Sequence, residues 1–454
     1  AKVDGLKVAA RTSSFKFKNS DADIAEIGHQ LKVATVLEGS VRKSGNQARI
    51  TAQLIKVDDG FHLWSETYDR NLDNIFEVQD EIAGAIVDAL KLPLLGHDAK
   101  PLATATAGSF AAYDLYLQGR HYARQYSESG FMKAIDYYRS ALELDPSFTQ
   151  ALAGLADSYV FLADFGNLPQ GEAQHLAREA VDKALSLDPD SPEAHAAMGV
   201  LLHNMSQYQA AGNHFEHALK VNPNHVNALI WYRQTLSLQN RNTLAFELAK
   251  KAMNLDPLSM PVRRHYAFQL IAMHEDDAAM NEIQAMIAAN PDDPTAYEIW
   301  GDLFRMRGLP HKAIPMYRNA HRLRPGDIYM AARNVQAALQ LGDDNLVDYW
   351  LSEARQRGSD AQWTRTAEIW AMYARGDFGA LLNQVDQLLA LQPGQRGLLG
   401  YRYVALSNMG QMDAARATLL QAMDADGYQH GQSISQDQMS SAVQIAYVFG
   451  QAGD

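Results

Sequence analysis

The sequence predicts a mainly α protein, an elongated solenoid of stacked helical hairpins preceded by a small mixed α/β domain. Three observations carry that prediction. Pro189, Pro223, Pro257, Pro291 and Pro325 follow one another at intervals of 34 residues, and Pro393 stands two such intervals further on. Between these prolines apolar residues recur at spacings of three and four, whereas residues 1–95 contain runs that alternate apolar and polar side chains. The 454 residues are 47% hydrophobic and 20% charged, enough apolar material to bury a core along the whole chain.

In residues 1–95 the runs LKVAA, ATVLEGSVR, ARITAQLIKV and FHLWSETYDR read as strands, separated by the turn-forming KSGNQ and DDG, with a hairpin near Gly45. DADIAEIGHQLK and IFEVQDEIAGAIVDAL flank them as helices. LWSETYDR gathers Trp64, Glu66, Tyr68, Asp69 and Arg70, but strand alternation puts Trp64, Glu66 and Tyr68 on one face and Asp69 on the other. The expectation is therefore structural: Trp64 packs on Tyr68, and Asp69 with Arg70 caps the following turn. Residues 96–110, GHDAKPLATATAGSF, are rich in Gly, Pro, Ala and Thr and read as a linker.

Residues 111–454 read as nine hairpins, closing near Pro146, Pro189, Pro223, Pro257, Pro291, Pro325, Ser359, Pro393 and Gly427, with a tenth first helix in SSAVQIAYVFGQAGD. The interval from Pro146 to Pro189 is 43 residues, and its excess fits an insertion around FGNLPQGEAQ. Proline has no amide hydrogen and moves its predecessor out of the α region, so each second helix must stop there; the Asp or Asn before it tolerates turn conformations. Ala211, Ala245, Ala279 and Ala313 are spaced for close helix approach, as are Ala184, Ala218, Ala252, Ala320 and Ala354. Phe215, Ile283, Tyr317 and Leu351 in second helices, and Met198, Tyr232, Tyr266 and Trp300 in first helices, fill the space between. Ordering backbone costs roughly 1–2 kcal/mol per residue, and burying a large apolar side chain returns about 1.5–3 kcal/mol. A lone hairpin leaves one face wet, so the units must stack.

These positions resemble the tetratricopeptide repeat family. The resemblance is carried by Tyr297, Trp300, Gly301, Phe304, Ala313, Tyr317, Ala320 and Pro325, and by Met198, Gly199, Leu202, Ala211, Phe215, Ala218 and Pro223. It thins between about 328 and 393, where Asn334, Val335 and Glu368 occupy pattern sites. It implies a right-handed superhelix whose groove, lined by first helices, binds a protein or peptide. The groove positions it indicates are Asn204, Asn227, Gln234, Arg264, Phe268, Glu298, Asp302, Arg305, Tyr329 and Gln336. At the first-helix site where chaperone-binding members clamp a C-terminal carboxylate with a Lys and Asn pair, this sequence has Ala196, Ile230, Arg264 and Glu298, which argues against that ligand.

VAARTSSF, VLEGSVRKSGNQARITAQLI, LWSETYDR and EVQDEIAGAIVDAL look like the TolB-like domain found before tetratricopeptide arrays in bacterial transmembrane regulators. That likeness continues into the first hairpins and covers about the first 160 residues; the family's earlier strand and helix are not in this sequence. It implies the periplasmic, C-terminal part of a membrane-anchored regulator, with a winged-helix DNA-binding domain or a nucleotide cyclase upstream. A free-standing cytoplasmic or periplasmic scaffold is the alternative, and an enzyme using the α/β domain comes third.

Composition narrows the chemistry. A net charge of −13, with no basic run, argues against nucleic-acid binding by this segment. The absence of cysteine excludes disulfides and thiolate sites. No apolar run reaches the ~18–20 residues that span a bilayer. HExxH, a phosphate-binding Gly-rich loop and GxSxG are all missing, so no cofactor or catalytic group is expected. His203, His214 and His217 come nearest to a histidine cluster and are expected to be packing or surface residues. The Asp residues of HEDDAA and LGDDN are placed to cap helices. The chain starts without Met and stops where a turn is due, so it reads as a piece of a longer protein, and homo-oligomerisation through its ends stays open.

Overall fold

The computed structural model of the protein describes residues 8–18, 20–45, 47–71, 81–82, 84–86, 110–163, 168–359, 361–391 and 395–425. Two short helices, α1 (Arg11–Ser14) and α2 (Ile24–Leu31), precede strands β1 (Thr35–Ser44), β2 (Gln47–Lys56) and β3 (His62–Asn71). The strands form an antiparallel meander in the order β1-β2-β3, with Gly45 at a φ of 59° in the first turn. Ala48, Ala52 and Leu54 of β2 are buried on one face, the alternation legible in ARITAQLIKV, and a register shift between Leu54 and Ile55 buries Ile55 as well. The edge strand β1 leaves Leu37 and Val41 exposed.

Trp64 and Tyr68 do pack, their ring centroids 6.5 Å apart. Asp69 and Arg70 depart from expectation. Asp69 stands opposite Arg49 in the β2-β3 register and accepts from its guanidinium at 2.7 and 2.9 Å, while Arg70 reaches Glu81 at 2.9 Å. Asp69 thus meets a facing cross-strand partner, and Arg70 a carboxylate outside the sheet. LKVAA is not a strand in its described part: Val8–Ala10 joins no sheet, and the Ala10 N–H donates instead to the Leu255 carbonyl at 2.6 Å. The helix expected in IFEVQDEIAGAIVDAL, the linker GHDAKPLATATAGSF and the final SSAVQIAYVFGQAGD lie largely or wholly outside the described residues.

From Phe110 to Ala425 the described helices pair as nine hairpins. They are α3 (Phe110–Ala123) with α4 (Glu128–Leu144), α5 (Thr149–Ala163) with α6 (Gln170–Leu187), α7 (Pro192–Asn204) with α8 (Tyr208–Val221), α9 (Val226–Leu238) with α10 (Asn242–Leu255), and α11 (Met260–Ala272) with α12 (Asp276–Ala289). There follow α13 (Pro294–Met306) with α14 (Pro310–Leu323), α15 (Ile328–Leu341) with α16 (Asp344–Arg357), α17 (Gln362–Arg375) with α18 (Phe378–Leu391), and α19 (Arg396–Asn408) with α20 (Met412–Ala425). The extra length of the second hairpin goes partly into its helices: α5 and α6 have 15 and 18 residues, against 13 and 14 in α7 and α8.

Five second helices end by one device. The N–H of the residue before Pro still donates to the carbonyl four residues back, from Asp145, Asp188, Asn222, Asp256 and Asn290, at 2.8–3.0 Å. In four of them the side-chain oxygen of that residue also accepts from the N–H just past the Pro, that of Ser147, Asp190, Asn224 or Asp292, at 3.0–3.3 Å. Asp and Asn are short enough to close that turn, and Pro brings no competing N–H. Asp256 differs because Ser13 of α1 stands between the two groups. The Ser13 Oγ donates to Asp256 Oδ1 at 2.5 Å and accepts from the Leu258 N–H at 2.9 Å, latching the N-terminal segment onto the array.

Consecutive first helices pack on one another, α5 on α7, α7 on α9, α9 on α11 and α11 on α13, whereas consecutive second helices have no comparable contact. The first helices therefore form the inner, concave layer of the solenoid. Ala211, Ala245, Ala279 and Ala313 are wholly buried between layers, and small residues meet large ones in register. A Cβ added to Gly199 would lie 2.5 Å from the Phe215 ring, and one added to Gly301 would lie 2.4 Å from that of Tyr317. The fourth hairpin exchanges the sizes, with Arg233 in register with Gly199, Ala267 and Gly301, and Ala249 in register with Phe215, Ile283 and Tyr317. At the pattern departures, Asn334 is buried and donates to the Met330 carbonyl at 2.9 Å, and Glu368 pairs with Arg355 at 2.6 Å. Asp343 caps α16 by accepting from Leu346 N–H, while Asp276 pairs with Arg307 of the next hairpin.

Candidate functional site

The inner layer carries a network of paired polar groups across α11, α13 and α15. Arg264 donates to Glu298 Oε1 at 2.6 Å and lies over the Phe268 ring, 5.4 Å from its centroid. Asp302, with no exposed surface, accepts from the Tyr317 hydroxyl at 2.7 Å and pairs with Arg305 at 3.5 Å and Arg333 at 3.4 Å. Arg333 also donates to the Tyr329 hydroxyl at 2.8 Å and to Gln336 Oε1 at 3.0 Å. Burial raises the Glu298 carboxyl above its usual range, against the pull of Arg264. For Arg264 itself burial opposes the charge, but Glu298 more than offsets it, so the guanidinium is held more firmly protonated than usual. Each buried acid of this stretch thus faces an arginine, and the pairs tie three first helices together, although Arg264 Nε is buried without a hydrogen-bond partner.

The neighbouring stretch, α7 to α11, is arranged differently. Arg233 is 6% exposed and donates only to neutral acceptors, Gln269 Oε1 at 3.3 Å and His265 Nδ1 at 2.8 Å, with its Nε buried and unpartnered. Burial, then the charge of Arg264, lowers its pKa to about 9. His203 bonds to Thr235 Oγ1 at 2.9 Å, and burial followed by Arg233 lowers it to about 4. His265 is held well below its usual value by burial and by Arg233 and Arg264. An aromatic row lies alongside: Tyr126 and Phe161 at 5.5 Å, Phe161 and Trp231 stacked at 5.5 Å, and Trp231 with His203 at 5.4 Å and His265 at 6.3 Å. Further along the layer, Asp157 of α5 has a buried Oδ1 without a partner, and burial lifts its pKa to about 7.

Of the positions indicated by the sequence, the structure brings together Arg264, Phe268, Glu298, Asp302, Arg305, Tyr329 and Gln336. Asn204 bonds to its own helix at Val200 O, Asn227 is exposed, and Gln234 is half-buried, none of them in that network. Sequence reasoning missed Arg333, Arg233, Trp231 and His265. A signal for Arg233 existed, an Arg where the 34-residue register otherwise places Gly or Ala. His203 does not belong with the other histidines: His195 meets His214 at 2.9 Å and stacks on His217 at 3.9 Å, because α7 turns His203 toward α9. Among the described residues no group of three or more His, Cys, Asp or Glu is placed to hold a metal ion, and no helix is long and apolar enough to cross a membrane.

The tetratricopeptide repeat family matches residues 180–212, from the end of α6 into α8, and the 34-residue register carries the same small-to-large packing along the array. The stretch matched there is a tetratricopeptide repeat, and the array has the fold of a tetratricopeptide solenoid. Among curated proteins, "Putative adenylate cyclase 3" of Rhizobium meliloti is 37% identical to this chain over 225 residues, 48% of the chain and 37% of that protein. The transcriptional regulator HilA of Salmonella typhimurium is 24% identical over 255 residues, 56% of the chain and 45% of that protein. The chain spans less than half the length of either relative. A solved structure of the APC/C hetero-tetramer Cut9-Hcn1 has a TM-score of 0.41 at 15% identity, over 83% of this chain and 76% of that one. In this tetratricopeptide array the layer bearing both stretches is the one formed by the first helices.

Proposed function

We propose that this region is a non-catalytic interaction and sensing module, which receives a segment of a partner protein along the inner face of its tetratricopeptide array. The observation that carries the reading is the aromatic row Tyr126–Phe161–Trp231 beside buried polar groups that have no partner of opposite charge. Aromatic anchors next to desolvated polar groups are where binding energy concentrates at interfaces. The test is selection of displayed dodecapeptides on the intact protein, followed by titration against Trp231→Ala and Tyr329→Ala. Groove binding predicts about tenfold weaker binding for at least one of them; peptides indifferent to both would sink the reading.

The proposal extends to the setting. Residues 1–95 form a TolB-like domain, and the whole is the periplasmic part of a membrane-anchored bacterial regulator whose output domain lies elsewhere in the parent protein. Support comes from relatives named as a cyclase and a transcriptional regulator, each much longer than this chain. Reporters active only in the periplasm or only in the cytoplasm, fused after Asp454 in the parent protein, decide it. A cytoplasmic signal would leave an intracellular scaffold in its place.

A further inference from the structure

We propose that Arg233, flanked by Arg264 and His265, is a carboxylate-binding subsite of the inner face that takes an Asp or Glu side chain of the bound protein segment. The inference rests on the interaction reading above and names the chemistry of its ligand. It starts from an imbalance. In the first helices that follow, α11, α13 and α15, the buried or half-buried arginines have an acid: Arg263 has Glu282 at 2.5 Å, Arg264 has Glu298 at 2.6 Å, Arg305 has Asp302 at 3.5 Å and Arg333 has Asp302 at 3.4 Å. Arg233 is more deeply buried than half-buried Arg264 or Arg333, yet among the described residues it forms no ion pair. A buried charge without a counter-charge is strongly unfavourable, so its retention calls for a compensating anion.

The surroundings state which anion. Arg264 is already neutralised by Glu298, and His203 and His265 are kept neutral by burial and by the adjacent guanidinium groups. One unit of positive charge is left, that of Arg233, which matches a single carboxylate. A dianionic phosphate would overcompensate it and meet Glu298 next door. Because His265 Nδ1 accepts from Arg233, its ring proton sits on Nε2, a further donor for an incoming oxygen. Arg264, with 31% of its side chain exposed, forms the open edge, and Trp231 stacked on Phe161 forms an apolar wall. The subsite occupies the register position of Gly199, Ala267 and Gly301, three residues past the clamp position represented by Ile230 in α9.

The experiment uses the intact protein and a displayed library of random dodecapeptides. Selected peptides are expected to be enriched in Asp or Glu, and titration calorimetry should show binding weakened about tenfold or more when that acid is changed to its amide. Arg233→Met should weaken binding by a similar factor, and combining it with the amide peptide should add little, since both remove one contact. Arg233→Gln, checked by melting temperature, guards against a folding defect in the Met variant. Acid-free peptides whose binding depends on Trp231 but not on Arg233 would overturn the subsite and leave the groove reading standing. Peptides indifferent to Trp231, Tyr329 and Arg233, or no selection at all, would overturn both. Inorganic phosphate displacing the acidic peptide more effectively than glutarate does would replace the carboxylate assignment with a phosphoryl one.

Discussion

From α11 to α15 the inner layer buries acids and arginines that face each other, while from α7 to α11 it buries Arg233 among histidines and glutamine, with no ion pair to it among the described residues. Both stretches sit on first helices of successive repeats, so the cost of taking charge out of water is similar in kind. The first offsets it internally: Asp302 and Glu298 hold three first helices in register. The second leaves it standing, and that is where a partner has something to gain. A conspicuous row of charges on a solenoid face is thus not by itself a binding site; what matters is whether the fold has already spent it.

The comparison can be broken most directly at Asp302. Asp302→Ala would strand Arg333 and the Tyr317 hydroxyl and should cost about 3–5 kcal/mol, read by native-state hydrogen exchange of α13 to α15; a change within the error of wild type would mean the network holds nothing. Next comes pH. His203 has its folded pKa depressed to about 4 from 6.5, so the folded state binds fewer protons than the unfolded one between those values. Stability is then full above pH 6.5 and falls as pH drops through about 4, by on the order of 3 kcal/mol from this group. Melting temperatures of wild type and His203→Gln should converge on acidification, and parallel curves would contradict the assignment. Asp157 has the opposite sign: its raised pKa of about 7 makes stability fall as pH rises from about 4 through 7, and Asp157→Asn should remove that slope.

Gly301→Ala sharpens the paired side, since the new Cβ would lie 2.4 Å from the Tyr317 ring that carries the hydroxyl to Asp302. Overpacking of that kind costs about 1–3 kcal/mol, and urea unfolding should show it. The smallest effect is the most telling. Arg233→Met should leave stability unchanged or raise it by about 1 kcal/mol, because it removes an unpaired charge and keeps the volume. A loss as large as that of Asp302→Ala would erase the distinction between the two stretches.

Much of this was legible in advance for a local reason. Helix length, the Asp-Pro and Asn-Pro stops and the alternation of ARITAQLIKV depend on residues a few positions apart. The contents of the inner face were less legible. Asn227 shares the 34-residue register of Tyr329, and Gln234 that of Phe268, Asp302 and Gln336, yet neither joins the network, and Asn204 bonds within its own helix. Arg233 was missed because its neutral surroundings are visible only once Gln269 and His265 are seen next to it. The partners of Asp69 and Arg70 were missed because Arg49 lies on another strand and Glu81 beyond the sheet.

By itself the sequence determined the period, the hairpins, the small and large residues in register and the absence of a strong positive field. Those follow from propensities and spacings that act within one repeat. Only the tertiary structure decided which charges meet, that Asp256 shares its turn with Ser13 from 243 residues away, and that Arg233 came to lie against His265 and Gln269. Such contacts depend on how each repeat is rotated against the next, and small rotations accumulated over several repeats are set by packing along the whole stack, not by any one segment of it.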